Sequence, residues 1–364
     1  MRGVGISIYL AKSTFEQDKA YLELASKYGF SRVFMSLLEI EDDAEIVMDK
    51  FGKIIQYAKD LGIRTVLDIN PGLFSQLNVS YDHLGFFKKL GADTIRLDLG
   101  FTGREEARMT ENSEGLKIEI NMSSGTCYID NIMSFHPNKD YLTASHNFYP
   151  QKYSGLSQKH FEKTTKKFND YGIHTAAFIT ADDGNLGPWP IQDGLCTLEA
   201  HRYLSVRTQA SHYRLMGVID DLFIGNAYAT EKELRDLSEI YLSEVPILEV
   251  EFFSNNKIEQ EILLGNIHHY RGDCSDYMIR SSQTRGTYAK ENLLAHDTQP
   301  IKRGDILICN NEFGQYKGEV QIALREMTNE GNRNVVGRIK PEALFLLDFL
   351  KPNTDFMFKV FTDI

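Results

Sequence analysis

The segments Leu61-Gly62-Ile63-Arg64-Thr65-Val66-Leu67 and Leu90-Gly91-Ala92-Asp93-Thr94-Ile95-Arg96-Leu97 share one order of events. A helical stretch ends at glycine, an apolar residue follows, and a β-rich run begins. This is helix C-cap chemistry: glycine takes a positive φ without a Cβ penalty, and the next apolar residue packs back on the last turn. Working outward, the unit returns at Tyr28-Gly29-Phe30, Glu114-Gly115-Leu116 and Tyr171-Gly172-Ile173. The first four of these glycines are 33, 29 and 24 residues apart, each interval long enough for one strand and one helix.

The stretches between are amphipathic. Val47, Phe51, Ile54, Ala58 and Leu61 fall on one helical stripe, and Leu234, Leu237 and Tyr241 repeat it. Ser13-x-x-Glu16 and Thr230-x-x-Glu233 fit the capping box. The strand runs are apolar on both sides, as parallel strands covered by helices must be. Eight are expected, at 5–10, 32–38, 65–69, 94–99, 117–122, 141–145, 174–179 and 221–225. Within residues 1–245 this predicts an α/β fold, a (β/α)8 TIM barrel. The rival doubly wound sheet lacks a GxGxxG after its first strand. After Pro246, alternating runs at 247–252, 277–281, 305–309, 319–325, 335–339 and 356–360 alternate with turn clusters. They predict a smaller, mainly β domain over 246–364, with one helix at 341–350.

Composition bounds the partners. Across 364 residues, 40 basic against 51 acidic side chains give a net charge of −11, which argues against nucleic acid and anionic membrane as partners. No apolar run reaches the ~18–20 residues of a membrane helix, and the N-terminal sequence is too short for a secretory signal. Cys127, Cys196, Cys274 and Cys309 are scattered without a CxxC, which fits a reduced, cytoplasmic protein.

Barrel chemistry sits at the C-terminal strand ends. Those ends carry Tyr9, Glu39, Asp68, Asn70, Asp98, Asn121, His146, Asn147, Asp182 and Asn226. A zinc site needs more histidine than this ring offers, a hard-cation site of Glu39, Asp68 and Asp98 is a lesser option, and a Schiff base lacks its lysine. No metal and no cofactor are called for. Paired carboxylates suit glycoside hydrolysis, one protonating the leaving oxygen and another acting at the anomeric carbon. Glu39, Asp68 and Asp98 are the catalytic candidates. Asn70, Asn121 and Asn147 suit hydroxyl or acetamido groups, although turn chemistry explains Asn70 before Pro71 equally well. The long seventh loop carries the only tryptophan, Trp189, either a sugar-stacking candidate or a plug for the barrel rim. Glu199, His201 and Arg202 follow it, and Arg202 is a candidate phosphate ligand, with a helix-start ion pair as the competing reading.

Several motifs together resemble the bacterial 6-phospho-N-acetylmuramidase family. They are Gly3-Val4-Gly5-Ile6-Ser7-Ile8-Tyr9, Phe34-Met35-Ser36-Leu37-Leu38-Glu39, Asp68-Ile69-Asn70-Pro71, Arg96-Leu97-Asp98, Ser145-His146-Asn147-Phe148-Tyr149-Pro150, Thr197-Leu198-Glu199-Ala200-His201-Arg202 and Tyr316-Lys317-Gly318-Glu319-Val320-Gln321-Ile322. The resemblance spans the chain and implies a barrel followed by a cyclophilin-like β domain. It also implies hydrolysis of N-acetylmuramic acid 6-phosphate–N-acetylglucosamine during cell-wall recycling, so the expected partner is a phosphorylated amino-sugar disaccharide. Such an anion needs local basic groups on an acidic chain. Arg271, Arg280 and Arg285 are candidates for a phosphate pocket supplied by the second domain as a lid, with surface arginines pairing with the excess acid as the favoured competing reading for any one of them. In the mechanism, Glu39 or Asp98 donates the proton and the other, or Asp68, acts at the anomeric centre. The substrate's own acetamido group is an alternative nucleophile, with Asp98 orienting it. Two other functions stay open on the same residues: a non-catalytic carbohydrate-binding surface protein, and a metal-dependent sugar-phosphate lyase or isomerase.

Overall fold

Glycine decides how the first strand meets the last. A Cβ at Gly5 would collide with the ring of Phe223, and one at Gly3 with the carboxylate of Asp221. Both glycines therefore belong to the strand, which begins two residues earlier than expected. The computed structural model describes residues 2–38, 44–69, 71–77, 79–191 and 193–361. The barrel strands are β1 (Gly3–Ile8), β2 (Arg32–Ser36), β3 (Arg64–Ile69), β4 (Thr94–Leu97), β5 (Lys117–Asn121), β6 (Leu142–Ser145), β7 (His174–Ile179) and β8 (Asp221–Ile224). Each runs parallel to the next, and β8 pairs with β1 to close the ring. Gly29, Gly62, Gly91, Gly115 and Gly172 all have positive φ, between 72° and 97°.

The helices bury the stripes read from sequence. Val47, Phe51, Ile54 and Ala58 of helix Ala44–Asp60 are buried, as are Leu234, Leu237 and Tyr241 of helix Glu231–Tyr241. Thr230 caps the latter with Glu233 as expected. The first capping box needs correction: helix Phe15–Lys27 is capped by Thr14 with Gln17, while Ser13 bonds Asp18 at 2.6 Å. Sequence spacing alone fits either register, and the fold selects the one that satisfies buried Asp18.

Inside the barrel the layer is charged rather than purely apolar. Arg32, Asp68, Arg96, Glu119 and Asp221 are all nearly inaccessible. Strand register sets Asp68 beside Arg96 and Arg96 beside Glu119. Arg32 bonds Asp221 and reaches Glu119 Oε2 at 3.3 Å. Charges this deep persist only when paired, because desolvation of a lone ion costs several kcal/mol.

The chain divides into two compact units, Met1–Tyr213 with Gly217–Leu242, and Arg214–Met216 with Ser243–Ile364. The second holds β9 (Ile247–Phe252), β10 (His268–His269), β11 (Met278–Ser281), β12 (Asp305–Cys309), β13 (Val320–Ala323), β14 (Arg333–Ile339) and β15 (Asp355–Lys359). They form one sheet in the order β10-β15-β9-β14-β12-β13-β11, antiparallel except for β15 on β9. Its core gathers Leu248, Val250, Ile262, Ile306, Ile322 and Phe358. The expected helix at 341–350 is a 3-10 stretch, Pro341–Asp348, and an unexpected α-helix, Lys257–Leu264, starts at an Asn256 cap. Two turns of helix are too short for periodicity to reveal. No helix among the described residues is long and apolar enough to cross a membrane.

Replacing Arg32 by Met strips Glu119 and Asp221 of a shared cation. The expected loss is about 3–5 kcal/mol of stability, read as a lower urea midpoint at unchanged m-value.

Candidate active site

Strand parity chooses which side chains enter the barrel, because neighbours along a strand point to opposite faces. On β4 and just beyond it, Arg96 and Asp98 share the inner face. From β6 onward Ser145 and Asn147 point in, and His146 points out. These inner residues converge on one guanidinium. Arg96 Nη1 bonds Asp68 Oδ1 at 2.5 Å and Asp98 Oδ1 at 3.3 Å. Its Nε donates to Ser145 Oγ at 2.7 Å, and its Nη2 donates to Asn147 Oδ1. Glu119 stands behind it, 4.0 Å from Nε. Sharing one nitrogen keeps the two aspartate oxygens within about 6 Å of each other.

A cavity of about 180 Å³ opens over this cluster, lined by Leu38, Asp68, Arg96, Asp98, Asn147, Phe148, Phe178 and Trp189. Asp98 is the accessible carboxylate, 31% exposed against 5% for Asp68. Burial pushes the Asp68 carboxyl up to about 7, with Asp98 and Glu119 adding to the rise and Arg96 opposing it. A carboxyl about half protonated at neutral pH, beside a more accessible one, is the unequal pair that acid–base chemistry uses. Trp189 stands 43% exposed on the wall, and its loop is pinned by Lys12 Nζ to the Gly187 carbonyl at 3.0 Å. A second cavity of about 650 Å³ lies at the ends of β7 and β8, lined by Lys152, Asp182, Asp183, Asp193, Tyr203 and Asn226 among others. It is the larger space, but the carboxylate pair lies in the smaller one.

Of the expected residues, Asp68, Asp98, Asn147 and Trp189 meet in the smaller cavity. Glu39 and Asn70 lie outside the described residues. The others have different work. His146 is buried against Phe161, with Nε2 at 2.8 Å from Thr165 Oγ1 and Nδ1 at 3.3 Å from Ser123 Oγ. Burial drives its pKa down to about 3, so it is a neutral packing group. Asn121 ties the loop instead of a sugar: it donates to the Asp98 carbonyl at 3.3 Å and accepts from Ser123 N at 2.9 Å. Tyr9 is buried and donates to the Gly225 carbonyl.

Glu199 and Arg202 form a loop staple. Glu199 accepts Tyr153 N at 2.9 Å and Gly155 N at 2.8 Å, and takes Arg202 Nε at 2.8 Å and Nη2 at 2.6 Å. Arg202 Nη1 serves the carbonyls of Tyr149, Asp193 and Gly194. Arg202, foremost, and the two backbone amides hold Glu199 at about 2 against the pull of burial. An arginine so fully used has no fork left for phosphate. Arg271 and Arg280 lie in the second unit, where Arg271 pairs with Asp273 and Arg280 with Glu319. Sequence reading missed Arg96 as the organising group, and with it Glu119, Ser145 and Phe178. The available signal was an arginine two residues before Asp98 inside an otherwise apolar strand.

The fold and this cluster define a (β/α)8-barrel protein with a carboxylate pair at its C-terminal mouth. The signature described as 6-phospho-N-acetylmuramidase, N-terminal, matches residues 4–239, and that described as 6-phospho-N-acetylmuramidase, C-terminal, matches 246–359. The chain belongs to the 6-phospho-N-acetylmuramidase family, whose name denotes a glycosidase. It is similar to an uncharacterized B. cereus protein of known crystal structure, at 43% identity over 98% of this chain and 99% of that one, with a TM-score of 0.91. A conserved Enterococcus faecalis protein of unknown function shares the fold at 22% identity, over 98% and 96% of the chains, with a TM-score of 0.74. The comparison with curated proteins gave no match.

The Asp68 carboxyl titrates near 7 in the folded chain, against about 4 when unfolded. The folded state thus holds a proton the unfolded state has released. The stability this group adds is fully present below pH ~4 and is lost as pH rises through ~7. Asp68→Asn removes that dependence, so the melting temperature of the variant minus that of wild type should climb between pH 4 and 8.

Proposed function

We propose that this chain is a glycoside hydrolase that cleaves N-acetylmuramic acid 6-phosphate–N-acetylglucosamine, a step of cytoplasmic peptidoglycan recycling. The observation that carries the reading is the joining of Asp68 and Asp98 on one Arg96 nitrogen at the floor of a cavity walled by Trp189. Family membership supplies the substrate class. The chemistry follows from the unequal surroundings of the two carboxyls.

In this reading Asp68, whose pKa burial raises to about 7, gives its proton to the glycosidic oxygen as the bond breaks. Asp98, the more open carboxylate, works on the opposite side, at the anomeric carbon or on the acetamido group that attacks it. Arg96 keeps both acids in place and compensates the charge left on Asp68. The shared nitrogen keeps the two bonded oxygens within about 6 Å, which leaves the ~5–5.5 Å carboxyl spacing of retaining enzymes open to this pair. Asn147 and Trp189 line the same space and suit an amide and a sugar face. Neither Arg96 nor Arg202 is available for the phosphoryl group, since carboxylates and carbonyls occupy both.

Incubation with the phosphorylated disaccharide should give two sugars whose masses together include one added water, with the anomeric configuration retained by proton NMR. A lyase product lacking that water, or activity abolished by EDTA, would sink the hydrolase reading. Asp98→Asn should lower kcat by about 10²–10⁴-fold, and turnover near wild type in that variant removes Asp98 from the mechanism.

A further inference from the structure

The parity that turns Asp68, Arg96 and Glu119 into the barrel also turns in residues two or four positions earlier on the same strands. On β3, β4 and β5 these are Arg64, Thr94 and Lys117, each the first residue of its strand. Strand register sets Arg32 beside Arg64 and Thr94 beside Lys117. Because the barrel strands run parallel, their first residues gather at the end of the barrel away from Asp98. A cavity of about 270 Å³ opens at that end, and its wall includes Arg32, Arg64, Lys117 and His174, with Asp93 and Asp221.

The acids in this wall are already committed. Asp221 takes Arg32 and, at 2.8 Å, His174 Nε2, while Asp93 accepts the Thr65 backbone N–H at 2.8 Å. Of the neighbours behind the wall, Glu119 is held by Arg32 at 3.3 Å, and Asp220 stands 3.7 Å from His174 Nδ1. The guanidinium of Arg64 and the ammonium of Lys117, by contrast, have no hydrogen-bond or ion-pair partner among the described residues. A chain of net charge −11 therefore leaves two cations unpaired in one concave space, next to a third that is almost wholly buried. Like charges brought together repel, and a concave, low-dielectric wall focuses their field on the space between them. An isolated surface cation gains little from a counterion, but an anion entering here meets several cations at once.

We infer that this cavity at the N-terminal end of the barrel is a binding site for a small tetrahedral oxyanion of the phosphate or sulfate class. Arg64 supplies a planar fork for two oxygens, Lys117 a point charge for a third, and Arg32 a fixed positive field behind them. The space lies below the ~300–1,000 Å³ of pockets for drug-sized ligands, so it suits the bare ion rather than a large ester of it. The site stands apart from the carboxylate pair and does not rest on the glycosidase reading.

The test uses the full chain in a buffer free of phosphate and sulfate, with inorganic phosphate as probe. Calorimetry should show saturable binding, and the melting temperature should rise with phosphate concentration, as linkage requires. Sodium chloride at matched ionic strength should produce neither effect, and sulfate should compete. Arg64→Gln and Lys117→Gln should each raise Kd by about tenfold or more, the loss of one charged hydrogen bond. Arg64→Lys, which keeps the charge but loses the fork, should fall between wild type and Arg64→Gln. A wild-type melting temperature without phosphate certifies each fold, and either glutamine variant suffices if the other fails this check. Phosphate binding unmoved in both variants belongs elsewhere on the chain and overturns the assignment, as does a wild-type protein that binds no phosphate. Succinate binding more tightly than phosphate removes the tetrahedral oxyanion as the ligand.

Discussion

A single guanidinium, Arg96, organises the mouth of the barrel. It is almost wholly removed from water, yet it meets Asp68, Asp98, Ser145 and Asn147 from three different strands and the loops beyond them. Burying a cation is unfavourable unless its donors are met, and here two aspartates, a serine and an asparagine at the cavity meet them. Glu119 carries the network deeper, to Arg32 and from there to Asp221 at the other end of the barrel. Interior charge therefore binds strands β2, β3, β4, β5 and β8 to one another. The unequal exposure of the two mouth aspartates follows from this arrangement, because one lies inside it and the other at its rim.

Parity accounts for most of what the site includes and leaves out. A strand end offers polar residues to both faces, and sequence shows only that they are there. His146 stands between Ser145 and Asn147, yet those two reach Arg96 while the imidazole is buried toward Thr165 of helix Gln158–Asp170. Its role is indirect, since Ser123, which it contacts, holds the Asn147 backbone N–H at 2.8 Å. Glu199 and Arg202 are a similar case. Their adjacency looks like ligand chemistry, but they consume each other and the carbonyls of two loops.

The arginines that sequence singles out in the barrel unit are already engaged. Arg96 and Arg202 of the barrel unit are spent on internal acceptors, carboxylates, amides and carbonyls that the fold brings beside them.

What the sequence determined by itself was the architecture. Helix-ending glycines, apolar strands and the change of texture after Pro246 are local consequences of backbone sterics and burial, and each can be read from neighbouring residues. The eight parallel strands and the β-rich second unit follow from them, as does the gathering of Asp68, Asp98, Asn147 and Trp189 at one end of the barrel. The short helix Lys257–Leu264 and the first capping register escaped because two turns, or a one-residue shift, leave the same local pattern. Tertiary structure alone decided which strand-end residues face the cavity, that Arg96 joins the two aspartates, and that Arg202 has nothing left to offer a phosphate. Those outcomes depend on strand register and on partners dozens of residues away. A hydrogen-bonding group is spent or available according to what folding brings beside it.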